Sequence, residues 1–399
     1  SDCRFISLID YNNNIKMKII IQLILFIFLS LFFNFQKSIA QEKINIGLIV
    51  PISGEHKEIG ESIINATRLA INKIDNTKIR IFPRDTKSNP EVTLKIAKEL
   101  RDLGIKIIIG PVFNENLTYL EELNDVIFLS LTNKINNNPK NVISAGINAV
   151  SQINTIVKFQ KLKDIKRSIF LIPNSDFKNE ITEAISKSKI KLKDTFIYDT
   201  DPTILTSQIE KLTRYPQRKK KLKDEIKKLK DSNKSNKLKK IADLEKKDTL
   251  GGINFDSVII ADFDESLKSV ATSLLYTDVS SKRIHYICLN QWFDESLLKE
   301  KSLQPIYFPS INKKNYEDFF SEYLTIYNKN PNQISFLSYD LIGLVYFLIL
   351  QNDFIIDEKI FNNKNRFKGK IGIFEINKKK ISHLLNFYVA EGEEFKKIF

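Results

Sequence analysis

From residue 43 onward the chain alternates short β-branched or apolar runs with helical patterns, and that alternation limits the folds open to it. Residues 44–50 read as a strand, followed by the turn Pro51-Ile52-Ser53-Gly54 and a helix to about residue 74. The next strand covers 78–82. Asn89-Pro90-Glu91 then opens a helix that Gly104 stops, with proline favoured in a first turn and glycine just past a last one. Residues 105–109 form a strand ended by Gly110-Pro111, a helix is expected over 115–123, and a strand over 126–129. Strands separated by helices in this way build a parallel sheet covered on both faces.

The pattern restarts near residue 150. A helix over 149–162 precedes a strand at 168–172, a helix at 177–186 and a strand at 190–197. Farther on come a strand at 257–261, a helix at 265–276 and a strand at 283–289. Helices follow at 316–327 and 335–350, and two stretches near the end, 367–374 and 381–389, read as paired strands. The run 341–350 is apolar but too short for a membrane span, which needs about 20 residues. The expected organisation is α/β with two doubly wound lobes. Lobe 1 covers 41–148. Lobe 2 covers 149–304 and carries an inserted helical hairpin at about 205–250. Residues 305–355 return to lobe 1, and 356–399 supply C-terminal strands and a hinge region.

Upstream of that pattern, Met17 and Lys18 lead into an apolar run at 19–33, interrupted by Gln22 and Ser30, and then into Ser38-Ile39-Ala40. A basic start, a short apolar stretch and a small-x-small exit describe a secretory signal, with cleavage expected after Ala40. The run is short for an uncleaved anchor helix, so no stable span is expected after cleavage. The expected location is periplasmic. No cysteine follows the run to take a lipid. Cys3 lies upstream of it, and Cys288, within an apolar strand, reads as a small buried hydrophobe.

The formal net charge is +14, but it is unevenly placed. Residues 211–247 hold 16 Lys and Arg against 5 Asp and Glu, a net of +11, which leaves +3 for the rest. Leu222, Ile226 and Leu229, then Leu238, Ile241 and Leu244, recur at helical spacing on either side of Asp231-Ser232-Asn233. Two antiparallel amphipathic helices joined near Ser232 follow from that pattern. Two readings stand side by side. The pair is a solvated projection, or its cations, with Arg218, Lys219, Lys220, Lys221, Lys239 and Lys240 as candidates, dock an anionic partner such as acidic cell-wall polymer or a membrane surface. The stretch lacks interleaved aromatics, and no nucleic-acid target is expected.

The first strand and turn, Ile46-Gly47-Leu48-Ile49-Val50-Pro51-Ile52-Ser53-Gly54 with Gly60 beyond, resemble the opening of the leucine-binding family of type I periplasmic binding proteins. Phe82-Pro83-Arg84-Asp85-Thr86 with Pro90, and Gly104 with Ile107-Ile108-Ile109-Gly110-Pro111, resemble that family's second and third strands. A narrower likeness runs through Gly110-Pro111-Val112-Phe113-Asn114-Glu115-Asn116, Leu129-Ser130-Leu131-Thr132-Asn133, Asn141-Val142-Ile143-Ser144-Ala145-Gly146-Ile147 and Gln152. These segments look like the penicillin-binding-protein activators, envelope proteins that stimulate a peptidoglycan synthase by contact. Transporter-type members tend to carry Ser where Asn114 stands and Tyr-Gly where Phe177-Lys178 follow Asp176. The resemblance therefore implies a contact regulator whose partner is a peptidoglycan synthase or other cell-envelope protein. A solute-binding component of an ABC transporter, holding a small amino-acid-like ligand, is the alternative. The best-known activator carries a lipid-attachment cysteine and a preceding helical-repeat domain that this sequence does not show.

In such a fold a cleft lies between the lobes at the carboxyl ends of the strands, where helix N-termini favour an anion. Ser53, Gly54, His56, Asn114, Ser130, Thr132 and Asp176 are the candidate cleft residues. Helix capping alone also accounts for Ser, Thr and Asn at such places. His285 and His383 read as structural or exposed. Three scattered histidines argue against a metal site, and no nucleophile elbow, phosphate loop or His-Glu-x-x-His is present, so neither an enzyme nor a cofactor is expected.

Overall fold

The computed structural model describes Gln22 and residues 43–74, 79–232, 235–289 and 292–399. Apart from Gln22, the expected signal segment lies outside the described residues, as does Asn233. The described residues within 45–74 and 81–399 form one compact unit; those of the other are Gln22, Lys43, Ile44, Ile79 and Arg80.

The first lobe runs β1 (Ile44–Val50), α1 (Lys57–Ile74), β2 (Ile79–Asp85), α2 (Pro90–Asp102), β3 (Ile107–Ile109), β4 (Ile127–Ser130) and β5 (Val142–Ser144). Its strand order is β2-β1-β3-β4-β5, and β1, β3, β4 and β5 pair in parallel. Local chemistry sets the ends. Asn89 accepts the Val92 N–H at 2.9 Å to cap α2, Pro90 occupies its first turn, and Gly104 follows at φ +80°. Strands β3, β4 and β5 are buried along their whole length, as strands of a sheet covered on both faces are. The expected helix at 115–123 is instead two 3₁₀ turns, Asn114–Leu117 and Leu120–Glu122. Asn141 Nδ2 reaches the carbonyls of both Leu120 and Leu123 at 2.8 Å and holds the second turn in this tighter form.

The second lobe runs α3 (Ala149–Leu162), β6 (Ser168–Pro173), α4 (Lys178–Lys187), β7 (Asp194–Tyr198), α5 (Pro202–Thr213), α6 (Tyr215–Lys230), α7 (Lys237–Glu245), β8 (Ser257–Ile260), α8 (Asp264–Tyr276), β9 (His285–Cys288) and β10 (Ile306–Ser310). After it come α9 (Lys313–Tyr327) and α10 (Gln333–Gln351). The chain ends with β11 (Asn365–Lys368), β12 (Ile373–Asn377), β13 (Lys380–Leu384), β14 (Asn386–Glu391) and β15 (Glu394–Lys397). The second sheet is ordered β15-β14-β10-β9-β8-β6-β7. Its parallel part, β7-β6-β8-β9-β10, repeats the order of the first sheet strand for strand. One hydrophobic core lies on each face of this sheet. Leu205, Ile209, Val270 and Leu274 of α5 and α8 fill one, and Ile153, Ile156, Phe159 and Ile181 of α3 and α4 fill the other.

Three boundaries differ from the sequence expectation. Residues 305–310 belong to the second lobe, because Ile306 and Tyr307 pair with Tyr286 and Ile287 of β9; the return to lobe 1 follows them. There α10 packs along α1, with Ser338 Oγ donating to the Ile63 carbonyl at 3.4 Å. Although α10 has the length and mean hydropathy (1.7) of a membrane span, 67% of that window is buried inside the protein. The stretch 381–389 breaks at Leu385: β13 joins a three-stranded antiparallel sheet with β11 and β12, whereas β14 pairs with β10. The insertion begins after residue 213 rather than near 205, since α5 is a core helix of the lobe. In lobe 1, α2 connects to β3 through 103–106; in lobe 2 the equivalent α5 connects to β8 through 214–256, and the basic helices are that added length.

Candidate functional site

A cavity of about 370 Å³ opens at the carboxyl ends of β3, β4 and β5. Val112, Phe113 and Asn114 come from the loop after β3, Leu131 to Lys134 from the loop after β4, and Gly146 and Ile147 from the segment leading into α3. The start of α10 closes another side with Ile334 and Leu337, and Trp292, from the loop after β9 of the second lobe, closes the last. Glycine is required at one place in this wall and at one just before it in the chain. A Cβ on Gly146 would stand 2.6 Å from the Thr132 carbonyl oxygen, and one on Gly110, at φ +103°, would stand 2.1 Å from that of Ile49.

Of the candidate cleft residues, the fold brings Asn114 and Thr132 into this wall. Asn114 Oδ1 is buried without a hydrogen-bond partner, an acceptor facing no donor. The Thr132 hydroxyl oxygen accepts the Lys134 N–H at 3.2 Å and keeps its own proton to donate. Ser130 is a correction. It is fully buried, its hydroxyl donates to the Pro111 carbonyl at 3.0 Å and its oxygen accepts the Thr132 N–H at 3.3 Å, so it braces two loops and does not reach the cavity.

Ser53 is also engaged elsewhere: its hydroxyl donates to Asp85 Oδ2 at 2.5 Å. Burial works to raise the Asp85 carboxyl, but the Ser53 hydroxyl and the N–H groups of Lys87, Ile52 and Ser53 outweigh it and hold Asp85 below its ordinary value. Gly54 is exposed at φ +78° and turns the chain into α1. His56 is half-buried with its ring 4.6 Å from that of Phe113, one side chain removed from the cavity. Asp176 is exposed in the loop between β6 and α4 and does not line the cavity.

Sequence reasoning passed over the acid at the carboxyl end of β8. Asp262 is buried, and the Tyr198 hydroxyl, from the end of β7, donates to its Oδ2 at 2.6 Å. Burial pushes both groups up, and the hydrogen bond from Tyr198 pulls Asp262 back only in part. Trp292 was also passed over, although it is the single tryptophan and follows a strand's carboxyl end. Among the described residues no three His, Cys, Asp or Glu side chains converge as a metal would require.

The basic helices split the remaining candidates. Arg218 is another correction, because it is only 6% exposed. Its guanidinium donates to the Thr277 carbonyl at 3.0 Å, to Thr249 Oγ1 at 2.6 Å and to Asp278 Oδ2 at 3.3 Å, fastening the insertion to the end of α8. It shares one helical stripe with the buried Tyr215, Leu222 and Leu229. Lys219 is half-buried, donates to the Tyr215 hydroxyl at 3.0 Å and lies 3.7 Å from Asp248. Lys220, Lys221, Lys239 and Lys240 are exposed. Leu238, expected on the buried stripe of α7, is 77% exposed, while Ile241 takes the buried position.

A family model described as periplasmic binding protein matches residues 43–203. Among curated proteins none matches. Solved structures do. A putative branched-chain amino acid ABC transporter protein from Rhodospirillum rubrum superposes with a TM-score of 0.65 at 12% identity, over 89% of this chain and 100% of that one. The C-domain of LpoA from Haemophilus influenzae, a regulator of PBP1A, gives 0.60 at 14% over 89% and 100%. The leucine-binding protein LivK of Thermotoga maritima gives 0.54 at 13% over 89% and 98%.

Proposed function

With the type I periplasmic binding protein fold as premise, we propose that this protein is a non-catalytic envelope protein that regulates peptidoglycan synthesis by contact, in the manner of the penicillin-binding-protein activators. The observation that carries this reading is the state of the lobe 1 hydroxyls. A receptor for free amino acids needs donors pointed at a carboxylate, and here the Ser130 hydroxyl is spent on Pro111 and that of Ser53 on Asp85, which leaves the Thr132 hydroxyl to donate into the cavity. Beside Asn114, Glu115, Thr132 and Lys134 the cavity has an apolar side formed by Phe113, Leu131, Ile147, Ile334, Leu337 and Trp292. That apolar side suits a partner's apolar side chain better than a zwitterion. The likeness to the LpoA C-domain, which regulates PBP1A, supports the same assignment.

A second reading, a periplasmic solute receptor of an ABC transporter, is favoured by the buried Asn114 Oδ1, which a ligand's N–H would satisfy. Two measurements separate the readings. Immobilised protein should retain a peptidoglycan synthase from envelope extracts, and substitution of Leu337 by Asp in the groove should abolish retention. A thermal-shift screen of amino acids should leave the melting temperature unchanged. A receptor saturated at 100 times its dissociation constant would instead gain about 2.7 kcal/mol.

A further inference from the structure

The inserted helices leave the second lobe at the edge opposite the cleft. Helix α5 starts beyond the carboxyl end of β7, runs back along the sheet and ends at the amino ends of the strands, and β8 begins there after the insertion. Arg218 and Leu250 fix the root at this edge, through Thr277 and Asp278 and through the Leu250 N–H to the Arg218 carbonyl at 3.1 Å. The first lobe builds the same sheet with no such insertion, so the helices add a surface and complete no core.

That surface carries most of the chain's excess charge. On α6, Lys220, Lys223 and Lys227 recur at spacings of three and four and are exposed, as is Lys228, opposite the buried stripe of Tyr215, Leu222 and Leu229. Lys237 Nζ donates to the carbonyls of Lys230 and Ser232, which brings the first turn of α7 to the far end of α6. There Leu238, 77% exposed, stands between the half-buried Lys237 and the exposed Lys239 and Lys240. From 219 to 247 the sequence has 13 Lys and neither Arg nor an aromatic residue.

We infer that these helices are a foot that docks the protein on an anionic phospholipid surface and holds the cleft away from the bilayer. Protein interfaces and nucleic-acid sites favour Arg and aromatics, whose rigid shapes fix one geometry. Lysines read a diffuse negative surface without fixed geometry, each strengthening attachment by up to about fivefold. An acidic polymer offers Leu238 nothing, whereas the acyl boundary of a bilayer takes a single leucine flanked by cations. The inference is independent of the regulatory reading of the cleft.

The test places an environment-sensitive dye on the foot in the full chain as Lys239→Cys, with Cys3→Ser; Cys288 is buried and out of reach. Vesicles of phosphatidylglycerol and phosphatidylcholine should blue-shift the dye, and pure phosphatidylcholine should not. Adding Lys227→Gln, Lys228→Gln and Lys240→Gln should raise the lipid needed for half the shift at least tenfold, and about 0.5 M salt should do the same. Leu238→Ser should weaken the shift in a way salt does not reproduce. Equal shifts on neutral and anionic vesicles, no shift on either, or a shift indifferent to the three glutamines in a variant with an unchanged melt would overturn the inference. So would a shift produced by isolated cell wall or an acidic protein but not by vesicles.

Discussion

The imidazole Nε2 of His383 lies 2.8 Å from the carbonyl oxygen of Ala145, joining β13 to the segment that leaves lobe 1 for lobe 2. His383 is 2% exposed, its backbone N–H donates to Ser151 Oγ at 3.0 Å, and its Nδ1 is buried without a partner. With Nε2 donating to Ala145, Nδ1 carries a lone pair, and protonation would create a buried N–H with nothing to receive it.

Burial holds the His383 imidazolium pKa down at about 4, against an ordinary 6.5. The native state therefore binds fewer protons than the unfolded chain. The stability His383 contributes is present above pH 6.5 and is lost as pH falls through 4, in total about 3 kcal/mol. Denaturant titrations of the parent and of His383→Gln should not run parallel over that window: the parent loses stability relative to the variant as pH falls. Curves that stay parallel would remove the linkage.

Asp340 on α10 acts in the opposite sense. Its carboxylate accepts the N–H groups of Lys370 and Ile371 at 2.8 and 2.7 Å, and burial nevertheless raises its pKa to about 7. A raised value means the native state holds the proton more tightly, so this contribution is complete below 3.8 and is lost as pH rises through 7. Between pH 4 and 6.5 the two slopes oppose each other. The parent should be nearly flat there, His383→Gln should gain stability on acidification, and Asp340→Asn should lose it. An Asp340→Asn profile with the parent's slope would show that the carboxylate stays ionised throughout.

Arg218 should matter to the insertion and little to the cleft. Replacement by Lys keeps the charge but cannot reach Thr277, Thr249 and Asp278 together, while Asp278 retains Arg283 at 3.0 Å. The expected cost is about 2 kcal/mol, with tryptic cleavage between 219 and 247 accelerated well before the rest of the chain. Equal cleavage rates in parent and variant would show that the guanidinium does not fasten the helices.

How much of this was legible depended on whether the signal was local. The strand and helix alternation of both lobes is carried by runs such as 44–50 and 168–172, which belong to buried parallel strands. Arg218 could have been separated from its lysine neighbours, because it shares a stripe with Tyr215, Leu222 and Leu229; reading the segment as one charge run hid that. The engagement of Ser130 with Pro111 was not legible, since it depends on how the loops after β3 and β4 meet. Nor was the break at Leu385: β13 and β14 are continuous in composition and differ only in the sheets they join.

Gly60 should tolerate no side chain. A Cβ there would stand 1.7 Å from the Pro51 carbonyl oxygen, where α1 passes beneath the turn after β1, and backbone cannot swing aside as a side chain can. Gly60→Ala is expected to cost more than about 2 kcal/mol despite alanine's better helix propensity. A variant as stable as the parent would mean that the turn and α1 separate freely.

Asn114 sets stability against recognition. Leaving a buried acceptor without a donor costs about 1–3 kcal/mol, so Asn114→Leu, similar in volume and apolar, should leave the unliganded protein as stable as the parent or about 1 kcal/mol more so. The single tryptophan, Trp292, lines the same cavity, so its emission reports occupation of the groove without a label. Whatever enters, a solute or a partner's side chain, should shift that emission in the parent. If the Asn114 oxygen meets an incoming N–H, the leucine variant should lose the shift while melting no lower. A variant that melts several degrees lower would show that the amide is needed to hold the loop after β3. One that keeps both its melt and the full shift would place recognition on the apolar wall formed by Phe113, Leu337 and Trp292.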